Sequence, residues 1–147
     1  MNLRSAFSIL ACGLCMALFL SACGGQNAPG GSGGQGAAPE EQDRNARPEL
    51  TAHIENPDAF DTIFIGYPTW WHDMPQVLYS FFDEYDFAGK TIIPFNVHNG
   101  SRFSGTVSTI RELEPEAVVI EDGFTVSEHG VSDAAGDVAA WLEGLGY

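Results

Sequence analysis

The sequence predicts an α/β domain, a parallel sheet flanked by helices, and three observations predict it. Short runs rich in β-branched and aromatic residues recur at 60–67, 90–97 and 117–120. Each is almost continuously apolar rather than alternating, the pattern of a strand covered on both faces. Between and after them, apolar residues recur at helical spacing, and strand alternating with helix calls for a parallel sheet with right-handed crossovers.

The elements in order begin with a segment that is not part of the fold. Arg4 precedes an apolar run ending at Leu20-Ser21-Ala22-Cys23. A charged start, a short apolar stretch and small residues at a cleavage point are the marks of an export signal. The run is shorter than the roughly 20 apolar residues of a membrane span. Leu20-Ser21-Ala22-Cys23 resembles the bacterial lipobox, which implies removal of residues 1–22 and lipidation of Cys23. The expected product is an exported lipoprotein held to the membrane by acyl chains, each buried methylene contributing about 0.8 kcal/mol. Cys12 and Cys15 lie in the discarded segment, so Cys23 is left alone and no disulfide can form. Residues 23–43 are rich in Gly, Ser, Gln and Pro and read as a flexible tether. A single domain then occupies 44–147.

Within the domain, the run at 60–67 is stopped by Pro68. Met74, Val77, Leu78, Phe81, Phe82 and Tyr85 follow at helical spacing, with Pro75 in the first turn. After the second strand comes a helix carrying Phe103, Val107, Ile110 and Leu113 on one face. The third strand leads directly to a last helix with Val131, Ala134, Ala135, Val138, Trp141, Leu142 and Leu145 inward and Ser132 as its N-cap.

Ligands of open parallel sheets bind beyond the carboxyl ends of the strands. Two loops lie there, Tyr67 to Met74 and Val97 to Gly105. The first carries Trp70 and Trp71 in succession, and adjacent indoles cannot both enter one core. Either they offer a stacking surface to a flat ligand, worth roughly 0.5–1.5 kcal/mol beyond burial, or they cap the sheet edge. The second, Val97-His98-Asn99-Gly100-Ser101-Arg102, is a turn with backbone donors and polar side chains.

At these residues the sequence resembles the flavodoxin-like FMN-binding lipoproteins. The resemblance rests on Gly66-Tyr67-Pro68-Thr69-Trp70-Trp71, Met74-Pro75, the segment from Asp86 to Phe95 and the loop from His98 to Gly105. It implies a flavodoxin-like parallel sheet of order 2-1-3-4-5 and FMN as cofactor. It also implies flavin-ring contacts from Pro68, Thr69, Trp70, Trp71, His98, Asn99 and Gly100, with no side chain acting as a catalytic acid or base. His72 stands where the family usually has glycine, and Asn96, Val97 and Asn99 replace its commoner Cys, Thr and Gly. Upstream, the match begins at Arg47-Pro48-Glu49-Leu50, so the first strand, first helix and second strand, with the loop that cradles the FMN phosphate, are expected to be absent. Charge-assisted hydrogen bonds contribute about 1.5–3 kcal/mol each, so a weakened flavin site is expected. The strand at 60–67 is expected to be left as an open edge.

The whole sequence carries a net charge of −14. All twenty acidic residues but only five of the six basic ones follow Cys23, which disfavours nucleic acid and anionic lipid as partners. His72-Asp73, His98 and His129 have no metal-motif spacing, and no Gly-x-Ser-x-Gly elbow is present. Two function classes remain: a lipid-anchored flavin-dependent electron carrier or oxidoreductase with a redox partner, and a non-catalytic interaction module completed by strand pairing with another chain.

Overall fold

The structure, a computed structural model, describes residues 37–147. The signal segment, Cys23, residues 23–36 and the expected loss of N-terminal elements lie outside the described residues. The described chain opens with a helix, α1 (Ala37–Asp43), within the stretch that composition assigns to the tether.

Two long parallel strands form the centre of the sheet. β1 (Thr62–Pro68) pairs with β2 (Thr91–His98) in a register that sets Ile63 against Ile92 and Tyr67 against Asn96. Pro68 ends β1 from inside the strand, since its ring removes a ladder donor only at the last position. Between them runs α2 (Gln76–Glu84), with Pro75 as N-cap at φ −55°, a fixed dihedral that begins the first turn without strain. Leu78, Phe81 and Phe82 on its inner face are buried with Phe87, Ile92 and Ile110. The turn back to β2 is set by Asp86, whose Oδ1 accepts from the Ala88 N–H, and by Gly89 at φ +73°. α3 (Thr106–Leu113) covers the same side of the sheet through Ile110.

The far side of β2 is lined by two short strands. β3 (Val118–Val119) pairs with Thr91 and Ile92, and β4 (Phe124–Ser127) pairs with the segment from Phe95 to His98, both parallel to β2. They act as one edge interrupted at 120–123. Gly123 makes the return possible, because a Cβ there would stand 2.2 Å from the Pro94 carbonyl oxygen. The third strand expected at 117–120 is thus a two-residue piece with Val118 58% exposed, and β4 was not expected. It is too short to announce itself by periodicity.

The last helix also differs from expectation. Ser127 accepts a bond from the His129 N–H and opens a 3₁₀ segment, Glu128–Asp133. α4 (Ala135–Leu145) begins only after it, with Ala134 rather than Ser132 as N-cap. The 3₁₀ segment takes up Ser132 and Asp133, where the helix was expected to start, and Val131 is left exposed. α4 meets the opposite face of the sheet through aromatic edges: the Phe64 ring lies 6.1 Å from Trp141 and 5.4 Å from Tyr147, and Phe124 lies 5.5 Å from Trp141. Among the described residues β1 is paired along one side, with β2, and no helix is long and apolar enough to cross a membrane.

Candidate functional site

The parallel register delivers the ends of β1 and β2 to one rim, and the two loops named by the sequence leave from it. The Thr69 N–H donates to the Val97 carbonyl at 2.9 Å, extending the ladder one step past β1. The chain then folds into a two-residue hairpin. Trp70 N–H donates to Asp73 O and Asp73 N–H to Trp70 O, both at 2.8 Å. The central residues, Trp71 at φ +47° and His72 at φ +66°, are both left-handed. That is the geometry of a type I′ turn, which ordinarily demands Asn-Gly or Gly-Gly. A bulky residue in the left-handed region costs roughly 1–2 kcal/mol, so this turn stores strain at two successive positions. His72 stands where the resembled family has glycine, which gives that glycine its physical reason.

Three contacts hold the turn against the strain. The Asp73 carboxylate accepts from the Met74 N–H at 2.8 Å and from the Tyr79 hydroxyl, shared between its two oxygens at 2.9 and 2.8 Å. Burial and the neighbouring Asp73 charge push the Tyr79 hydroxyl well above its ordinary pKa, so it stays a donor. Gln42 of α1 donates to the Trp70 carbonyl at 3.0 Å. The outcome is a fixed turn whose indoles face solvent: Trp70 is 38% exposed and Trp71 60%.

The second loop leaves β2 at His98. The Gly100 N–H, at φ +97°, donates to His98 Nδ1 at 2.9 Å, so the neutral imidazole carries its proton on Nε2. Arg102 at φ +52° and Ser104 at φ +53° are also left-handed. Asn96, 1% exposed, joins the two loops: its Nδ2 donates to Thr69 Oγ1 and to the Arg102 carbonyl, and Thr69 Oγ1 itself donates to that carbonyl at 2.8 Å. Below the loop, the Tyr67 hydroxyl lies 2.7 Å from Thr106 Oγ1, which donates to Phe103 O; burial raises the Tyr67 pKa to about 12.

The structure therefore brings Pro68, Thr69, Trp70, Trp71, His98, Asn99 and Gly100 to one rim. Thr69 is spent on the tie between the loops, while Trp71, Asn99 and Gly100 are exposed. Sequence reasoning missed Asn96 as that tie, and Asp73, Tyr79 and Gln42 as supports. A lone amide at the carboxyl end of an apolar strand was the available signal for Asn96. Among the described residues no cluster of three His, Cys, Asp or Glu could hold a metal.

A rim of this kind, with fixed strained turns, exposed flat rings and exposed polar side chains, can bind a planar, polar-edged molecule. The family model described as Flavodoxin matches residues 35–145. A candidate flavoprotein from Bacteroides uniformis ATCC 8492 is similar at 29% identity and TM-score 0.57, over 63% of this chain and 59% of that one. The chain thus aligns with less than two thirds of that protein's length. A candidate flavoprotein from Bacteroides eggerthii DSM 20697 shares the fold at TM-score 0.64 and 22% identity, over 92% of this chain and 91% of that one. A flavoprotein in complex with FMN from Lactobacillus acidophilus NCFM is 21% identical over 65% of this chain and 64% of that one, at TM-score 0.49. No curated protein matches the sequence.

Proposed function

Because this chain belongs to the flavodoxin family, we propose that its rim binds FMN and that the protein serves as a lipid-anchored electron carrier or flavin-dependent oxidoreductase outside the cytoplasm. The observation that carries the reading is the Trp70–Asp73 turn. Two left-handed non-glycine residues, Trp71 and His72, are held there while the indoles of Trp70 and Trp71 face solvent, and backbone strain of this kind clusters at functional sites. FMN, when bound, supplies the redox chemistry itself.

The chain's own residues position and shield. Trp70 and Trp71 would give the flavin ring a stacking surface and exclude water from it. The exposed Asn99 side chain and the Nε2–H of His98 would meet its polar edge. Thr69 and Asn96 hold the two loops at a fixed separation and are positioning residues. Cys23, through its lipid, would keep the carrier at the membrane, where a redox partner meets it.

Titration of residues 24–147 with FMN, followed by flavin fluorescence, tests the reading. This fragment keeps α1 and its bond to Trp70, which one starting at residue 44 would lose. A dissociation constant at or below micromolar is expected. Trp71→Ala should weaken binding about tenfold, the equivalent of roughly 1.4 kcal/mol of lost stacking, with thermal stability unchanged because the indole touches little of the core. A folded fragment that ignores FMN sinks the proposal.

A further inference from the structure

The rim's electrostatics oppose those of the molecule that carries it. Acidic residues dominate the chain, yet none occurs from Phe87 to Arg111, the stretch that includes β2 and the second loop. Two carboxylates near the rim have neighbours of their own. Asp73 is bound to the Tyr79 hydroxyl and the Met74 N–H, and Glu128 lies 3.6 Å from His129.

The described cations elsewhere are equally committed. Arg44 donates to the Glu40 carbonyl, Arg47 pairs with Asp83, Lys90 donates to the Pro57 and Phe60 carbonyls, and Arg111 pairs with Glu121. Arg102 differs. Among the described residues its guanidinium makes no hydrogen bond or ion pair, and the residue is exposed. Its backbone, in contrast, is among the most constrained at the rim: left-handed at φ +52°, with its carbonyl receiving bonds from both Thr69 and the buried Asn96. The loop then enters the N-terminus of α3, which has a glycine N-cap, no side-chain cap bond and no acid in its first turn. That terminus, four residues along the chain from Arg102, adds positive potential to the same loop.

From this juxtaposition we infer that Arg102 is an anion-binding residue of the flavin site. It is held between the two loops so that its unpaired charge meets negative charge on the bound flavin nucleotide. The inference rests on the proposed flavin binding. The anionic charge has two sources, the phosphate of FMN and the charge that the ring gains on reduction, and Arg102 lies in the second of the two loops proposed to border the ring.

The test compares wild type, Arg102→Gln and Arg102→Lys, each as residues 24–147, with FMN and with riboflavin. Each is titrated at low and raised salt, and the two-electron midpoint potential of bound flavin is recorded. Contact with phosphate predicts that Arg102→Gln binds FMN ten- to a hundredfold more weakly, as loss of one charge-assisted bond implies. Riboflavin affinity would be unchanged, and the salt dependence of FMN binding would shrink. Contact with the reduced ring predicts unchanged affinity for oxidised flavin and a potential lowered by about 30 mV for each tenfold change, with both flavins. Arg102→Lys retains most of either effect. Equal affinities, salt dependence and potentials in wild type and Arg102→Gln overturn the assignment of Arg102 while leaving flavin binding intact. A folded wild type that binds neither flavin overturns the proposed function and this inference with it.

Discussion

Two groups of aromatic rings in this molecule have opposite uses. Under α2, Phe81 stacks on Phe87 at 5.4 Å and 30°, Phe82 meets Phe87 edge-on at 6.0 Å, and Tyr85 lies 4.9 Å from Phe81. Phe87 is fully buried, and the backbone around these rings is ordinary helix and turn. At the rim, Trp70 and Trp71 touch few other rings, face solvent and ride on a strained backbone. The buried rings stabilise through area removed from water and through mutual edge and face contacts. The exposed pair costs stability, which the core must offset. Aromatic content alone therefore does not separate core from site. Backbone conformation does.

The comparison breaks most visibly at Phe87. Phe87→Ala should destabilise the fold by about 3–5 kcal/mol, the usual cost of emptying a packed phenyl site, read from urea unfolding. A loss below 1 kcal/mol would place the seat of stability elsewhere. At the rim, the sign reverses. His72→Gly replaces a left-handed side chain with the residue that adopts φ +66° freely, and should raise stability by about 1 kcal/mol. A destabilised variant would mean that His72 makes contacts outweighing its strain.

Most of the fold was legible because its signals are local. The continuous apolar runs that became β1 and β2, and the spacing of Leu78, Phe81 and Phe82 in α2, carry their own periodicity. The edge opposite β1 was not legible. β4 is four residues long, and its pairing with β2 depends on Gly123 passing close to Pro94, a tertiary fact with no periodic trace. Ser132 likewise satisfied the local rule for an N-cap but lost its place once β4 had drawn Ser127 into the 3₁₀ turn. At the site, the loops and their indoles could be read from position and composition. The tie from Asn96 to Thr69 and Arg102 could not, because it joins residues distant in sequence through a main-chain carbonyl. The strain at Trp71 and His72 has no sequence signal beyond the missing glycine.

The finest distinction between the two regions concerns charge inside the stabilising one. Glu114, the C-cap of α3, is almost buried beside Phe87. Burial raises its carboxyl above the ordinary carboxylate range and Asp86 adds repulsion, while the Phe87 N–H pulls the other way. A folded-state pKa above the unfolded one means that the folded state holds the proton more tightly. Its contribution to stability is therefore complete below the unfolded pKa and is lost as pH rises through the folded value. Glu114→Gln keeps an acceptor for the Phe87 N–H and carries no charge to desolvate. It should match wild type in acid and become slightly the more stable as pH passes from the ordinary carboxylate range toward neutrality, measured by urea unfolding at a series of pH values. A difference that does not change with pH would show that the carboxylate is solvated after all. The aromatic cluster would then have a wet edge at Glu114, and its contrast with the rim would be one of backbone strain alone.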